Sequence, residues 1–262
     1  MTSKPAKTRL AGPHSHLTEL PTPPKRPDAM KQRRHIAKAD QILRSHHRNR
    51  PDVLVSGQGY LCREAREARQ SPRPDCIVSF SLSIPPDVIE DVANGYVISE
   101  LGKPPEFVLE VASESTGERD YTVKREIYAR FGVKEYWRFD YTGGRFHDVP
   151  LAGDRLVGDR YESIPVEERE DGTIRGRSAE LDLELHWHFG QLRFWDPATG
   201  EYLPDLIEAL EALAMAESQR DSAEEQRDAA IAQRDDAISQ RDTARSRIQE
   251  LEAELRRLRS ED

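Results

Sequence analysis

Between Pro51 and Leu203 short apolar runs alternate with polar stretches and Gly/Pro punctuation, the texture of strands joined by turns with few helices. Asp52-Val53-Leu54-Val55-Ser56 predicts a strand, Gly57 to Gly59 a turn, and Tyr60-Leu61-Cys62-Arg63 the returning arm of a hairpin. Pro74-Asp75-Cys76-Ile77-Val78 and Phe107-Val108-Leu109-Glu110-Val111 are apolar, β-branched runs of the kind that become buried strands. Val88 to Leu101, between two proline pairs, is open between helix and irregular structure. Ser115 or Thr116 then offers an N-cap, and Glu118 and Asp120 place carboxylates in a first helical turn. Val123, Ile127 and Phe131 recur at helical spacing, and Gly132 supplies the stop. Val133 to Asp140 reads as another strand, and Gly143-Gly144 as a tight turn into Arg145 to Val149. Strand, helix and strand with short joints favour two adjacent parallel strands.

Residues 151–203 hold shorter apolar pieces that would cover or extend this sheet. Leu181 to Leu185 alternates with period 2, and Leu192 to Pro197 runs into a turn at Thr199-Gly200. The last sixty residues differ: Gln-Arg-Asp recurs at Gln219, Gln226, Gln233 and Gln240 without a Gly or Pro, which predicts one long heptad-repeat helix. Ala244, Ile248, Leu251, Leu255 and Leu258 keep coiled-coil spacing, whereas the same register further back meets Arg241, Arg234 and Arg227. The distal end is therefore the expected seam for a homo-oligomer, and the middle reads as solvated helix. At the other end, Pro5, Pro13, Pro21, Pro23, Pro24 and Pro27 with little apolar content predict disorder to about residue 34, followed by a short helix over His35 to Arg50. Three parts result: a basic, Pro-rich, largely disordered arm over 1–50, a folded domain over 51–203 and a helix over 204–262.

Charge sharpens that division. The net charge of −9 hides 12 Lys/Arg against 3 acids in residues 1–50, so the arm carries +9 and the remainder −18. Such an arm suits either solvated disorder or contact with a phosphate backbone. The chain is 36% hydrophobic and 33% charged with mean hydropathy −0.78, too polar to fold throughout into one globule. No run approaches the roughly 18 apolar residues of a membrane helix, and the first residues contain no apolar leader. Cys62 and Cys76 lack metal-ligand spacing, which makes a reduced cytoplasmic compartment the default.

Asp75 opens one apolar strand and Glu110 sits inside another. A carboxylate in a water-excluding strand is costly unless it is paired or bound to a cation. Two of them with Lys124 nearby suggest a divalent-metal hydrolytic site. Asp75 and Glu110 would supply hard oxygen ligands, the Val111 carbonyl a third, and a lysine would stabilise charge on an attacked phosphate or its water. The plain alternative is a Pro-Asp strand start at Asp75 and a surface ion pair between Asp120 and Lys124, which stand i, i+4. His46-His47 and His186/His188 fit solvated faces better than zinc, since further ligands are not evident.

The segments Pro74 to Val78, Pro104 to Thr116 and Asp120 to Asp140, above all Gly132-Val133-Lys134-Glu135-Tyr136-Trp137, resemble the Uma-two-type putative restriction endonuclease family of the PD-(D/E)xK nuclease superfamily over about residues 50–200. The resemblance implies an α/β fold: a restriction-endonuclease-like core with a mixed central sheet and flanking helices, here followed by a long C-terminal coiled-coil helix. It implies Mg²⁺-dependent nuclease chemistry, with Mn²⁺ as a substitute. Asp75, Glu110 and Val111 would be metal ligands, and Asp75, Glu110 and Lys124 the catalytic set. The superfamily's lysine two residues after the second acid is here Ala112, so its role passes to Lys124 on the following helix. No acidic helix precedes Pro51, and Glu64 matches the upstream glutamate by proximity alone.

The expectation is a Mg²⁺-dependent endonuclease that hydrolyses DNA phosphodiester bonds, with the basic arm on the backbone and the coil pairing subunits. The competing expectation is a catalytically inactive nuclease fold that serves as a platform for its coiled coil, and a third is a single-strand or RNA nuclease.

Overall fold

The two apolar runs that carry a carboxylate are neighbouring strands. The computed structural model describes residues 16–24 and 29–258, less the side chains of 29–30, 254–255 and 258. Strand β1 (Leu54–Ser56) pairs antiparallel with β3 (Cys76–Ser79), and β3 pairs antiparallel with β5 (Phe107–Val111). The chain crosses over through α4 (Gly117–Tyr121) and α5 (Val123–Phe131) to β6 (Glu135–Phe139), which lies parallel to β5. Strands β7 (Leu151–Val157) and β8 (Arg160–Ile164) complete a mixed six-stranded sheet in the order β1-β3-β5-β6-β7-β8. The parallel pair at its centre is the crossover expected from strand, helix and strand.

Both faces of this sheet are covered, hence the unbroken apolar runs. On one face Val55, Cys76, Val78, Phe107, Leu109 and Trp137 pack in the main core. There they meet helix α1 (Ala29–His46) and a five-stranded antiparallel sheet. Its strands are β9 (Val166–Glu168), β10 (Ile174–Ser178), β11 (Leu183–His188), β12 (Gln191–Asp196) and β13 (Glu201–Tyr202). Gly153 and Gly176 leave room for the Trp137 ring, since a Cβ at either would stand 2.9 or 2.8 Å from it. On the opposite face Leu54, Ile77, Val108 and Tyr136 meet Tyr128 of α5 and Ile89 and Ala93 of α2 (Pro86–Ala93). A helix α6 (Leu206–Leu258) forms a separate unit. No helix of the described residues is long and apolar enough to cross a membrane.

Three local expectations change. Strand β2 (Tyr60–Cys62) does not return along β1; it pairs in parallel with β4 (Gly95–Val97). The turn before it is spent otherwise, with the Gln58 amide donating to the Pro74 carbonyl at 2.8 Å. The turn at Gly143-Gly144 leads into a loop over Arg145 to Val149.

The stretch expected to be a disordered arm with a short helix from His35 is ordered in its described part. Helix α1 begins at Ala29 and buries Gln32, His35, Ile36, Ala39, Ile42 and Leu43 on one side. Leu17 and Leu20 are buried as well, and the Leu20 amide donates to the Ala93 carbonyl at 2.9 Å. A few well-spaced apolar groups suffice because the sheet offers a ready face for them. Residues 1–15 and 25–28, where disorder is also expected, lie outside the described residues.

The helix after Thr116 is broken at Thr122 into α4 and α5, and Gly132 closes it in the left-handed region at φ +84°. Its buried positions are Lys124 and Tyr128, while Val123 of the expected stripe is 48% exposed. The helix is rotated because Lys124 meets buried carboxylates that compensate its charge.

Candidate active site

The register that sets Cys76 opposite Leu109 brings the preceding Asp75 level with Glu110. Both carboxylates are buried, at 1% and 0% exposure. A Cβ at Gly57 would collide with the Asp75 carbonyl, so the backbone here tolerates no side chain. Asp75 Oδ2 accepts the Val111 amide at 2.9 Å and the Gln32 Nε2 amide at 3.3 Å, and the same Gln32 nitrogen donates to the Val111 carbonyl at 2.5 Å. One nitrogen thus reaches an oxygen of Asp75 and the oxygen of Val111 together, which means that these acceptors converge.

The crossover brings Lys124 over Glu110. Lys124 Nζ lies 2.9 Å from Glu110 Oε2 and 2.6 Å from Asp120 Oδ1. The Tyr128 hydroxyl donates to Glu110 Oε1 at 2.6 Å. Burial disfavours the charged lysine, but Glu110, Asp120 and Asp75 outweigh it and hold Lys124 above its ordinary value of 10.5. Burial likewise works against a charged Asp120, yet His147 and Lys124 hold it below 3.8. Burial first, then Glu110, pushes the Tyr128 phenol well above 10, so it stays a donor. At neutral pH Lys124 is an ammonium, a source of positive charge and not a base.

Asp120 is fixed from behind. His147 Nε2 stands 3.0 Å from Asp120 Oδ2, both side chains being fully buried. The loop that carries His147 is gathered by Asp140, whose carboxylate accepts the amides of Thr142, Phe146 and His147 at 2.7–2.8 Å. Gly117 lets that loop approach, since a Cβ there would collide with the Phe146 carbonyl.

Sequence reasoning names Asp75, Glu110, Val111 and Lys124, and the fold brings all four together with Asp120. Gln32 and His147 are the additions. Gln32 shares the buried side of α1 with Ile36, Ala39 and Leu43, a spacing of i, i+4, i+7, i+11 that could have marked it. Nothing in the loop around His147 carries such a period. Glu64 is not part of this group: its carboxylate accepts a hydrogen bond from Ser99 at 3.2 Å. Ala112 is fully buried, and its amide joins the Phe139 carbonyl at 2.8 Å. His186 lies on the second sheet beside Glu184 and Tyr202.

The donor set suits a hard divalent cation: two carboxylates and a backbone carbonyl, all oxygen. Among the described residues no cluster of three or more His, Cys, Asp or Glu side chains could hold a metal ion, so other positions would fall to water and substrate. A mixed sheet with flanking helices, carrying this group of side chains at the ends of β3 and β5, makes an α/β protein. The chain matches the Uma2 family model, described as "putative restriction endonuclease", over residues 20–188, and it belongs to that family. The match begins upstream of α1, well before the residues that carry the resemblance in the sequence. No curated protein matches the chain. Among solved structures, a putative nuclease belonging to DUF820 from Anabaena variabilis is similar at 14% identity and a TM-score of 0.38. That likeness covers 56% of this chain and 73% of the other.

Proposed function

We propose that the chain is a metal-dependent endonuclease that hydrolyses DNA phosphodiester bonds. The observation that carries this reading is the convergence of Asp75, Glu110 and the Val111 carbonyl beside a buried ammonium. Asp75, Glu110 and Val111 would hold Mg²⁺, or Mn²⁺ in its place, and the amide of Gln32 borders the same oxygens. Bound there, the cation would supply Lewis acidity toward a phosphate oxygen and a more acidic water. Lys124 contributes fixed positive charge where a phosphorane dianion would build up. Asp120 and His147 act as positioning residues that hold the ammonium in place, and Tyr128 orients Glu110. Lys31, Arg33 and Arg34, exposed on α1 around Gln32, belong to the basic arm and would meet the backbone of the nucleic acid. The heptads of α6 would join copies of the chain, giving each assembly more than one site. The two free, buried cysteines suit a reducing, cytoplasmic setting.

The test is Mg²⁺- and Mn²⁺-dependent cleavage of plasmid, single-stranded DNA and RNA by the wild type and Glu110→Gln. Cleavage by the wild type that the variant lacks, the variant still melting cooperatively, supports the reading. The second reading, a catalytically inactive platform for the coiled coil, draws on the engagement of the ligand oxygens by Gln32 and Lys124 and on Ala112 in place of the strand lysine. It predicts no metal binding at Asp75 and full function in Asp75→Asn.

A further inference from the structure

The acidic chain keeps one strongly cationic hollow. A cavity of about 310 Å³ opens beside Lys124, and Arg69, Arg73 and Arg119 are in its wall together with Ser115 and Thr116. Among the described residues no carboxylate lines it, although the net charge is −9. The guanidinium of Arg73 is tied down, donating to the Pro24 carbonyl at 2.6 Å. Arg69 and Arg119 are exposed at the mouth, while Lys124, only 7% exposed, forms the inner end. The Lys124 ammonium itself is turned away to Glu110 and Asp120, so the exposed guanidinium groups are what favour an anion in the hollow.

Size limits what can enter. The volume falls at the low end of the roughly 300–1,000 Å³ spanned by small-ligand pockets, enough for about one nucleotide. The carboxylates behind Lys124 are almost wholly buried. A duplex laid across the surface would keep its backbone outside, whereas a single strand can put one nucleotide into the hollow and its phosphate among the guanidinium groups. We infer that this cleft is a single-strand nucleotide subsite, with Arg69 and Arg119 gripping the phosphates of the strand that enters it. The substrate class is therefore single-stranded or locally unpaired nucleic acid. This rests on the nuclease reading of the Asp75–Glu110–Lys124 site and narrows the substrate for it.

The experiment separates the two. Binding of a fluorescent oligothymidine and of a blunt duplex to the full chain is measured by anisotropy in EDTA, where no catalysis is required. Wild type is compared with Arg69→Ala/Arg119→Ala, a change confined to exposed side chains. Each phosphate contact contributes about 0.7 to the salt slope of single-strand binding. The expected result is tighter binding of the single strand than of the duplex, weakened in the double variant, with a log K against log salt slope shallower by about 1.4. Equal binding of duplex and single strand, or an unaltered affinity and slope in the double variant, would overturn the inference. Neither outcome bears on the Glu110→Gln cleavage test, by which the nuclease reading stands or falls.

Discussion

Lys124 reaches Glu110 from helix α5, not from strand β5: its Nζ lies 2.9 Å from Glu110 Oε2, while the strand position two residues after Glu110 is the fully buried Ala112. Lys124→Met removes an ammonium from between two buried carboxylates. Breaking a buried pair by deleting one partner costs about 3–5 kcal/mol, and losing a preorganised charge costs about 10²–10³ in turnover. Denaturant unfolding and cleavage rates of the same variant should show both losses.

Gln32 borders the ligand oxygens without bringing charge. Gln32→Glu adds a carboxylate to the Asp75–Val111 group, and charge count is one of the terms that sets affinity for hard cations. Calorimetric titration with Mn²⁺ should show tighter binding than in the wild type. Gln32→Leu should leave the Asp75 and Val111 oxygens short of a donor and cost about 1–3 kcal/mol in unfolding.

His147 acts only through Asp120. His147→Leu should destabilise by about 1–3 kcal/mol through the unpaired carboxylate oxygen and slow cleavage on the order of 10- to 100-fold, the usual cost of losing an outer-shell partner. His147→Gln retains an N–H donor of similar reach and should restore most of the rate with KM little changed. Rescue by glutamine but not by leucine distinguishes positioning from simple packing.

The pH dependence has two edges. Asp120 titrates below 3.8 in the fold, so its contribution is complete above that value and fades as pH falls through the lower folded value. Lys124 titrates above 10.5, so its contribution is complete below 10.5 and fades only as pH rises through the higher folded value. Thermal melts should therefore show a plateau across neutral and mildly alkaline pH from this pair. In Asp120→Asn the acid edge should shrink.

Helix α6 is tested by its distal apolar positions. Ile248 and Leu251 are 56% and 44% exposed in the single chain. Sedimentation velocity should find an oligomer, and Ile248→Glu/Leu251→Glu should reduce it to a monomer without altering the melting of the domain that precedes it. A wild-type monomer would remove the seam from the functional proposal.

The strands around the site were legible because burial on both faces leaves an unbroken apolar run, in which Glu110 stands out. The Asp120–Lys124 pair was legible from helical spacing. The rotation of α5 was not: apolar periodicity selects Val123, Ile127 and Phe131, whereas partners contributed by β5 turn Lys124 and Tyr128 inward. Gln32 was obscured for the same reason, since a polar group on a buried helix side breaks the apolar pattern that would reveal the side. His147 depends on a loop held by Asp140, a tertiary arrangement with no local signature.

The family match ends at residue 188, the last residue of β11, but the hydrogen-bonded sheet does not. Strand β12 pairs along β11 from Glu184 to His188 and sends Leu192 and Phe194 into the main core, the latter with no exposed surface. A protein truncated at the homology boundary would bare a full strand edge and leave a void the size of a phenyl ring in the main core. The heritable module and the cooperative folding unit are thus different lengths of chain, and an expression boundary belongs after β13.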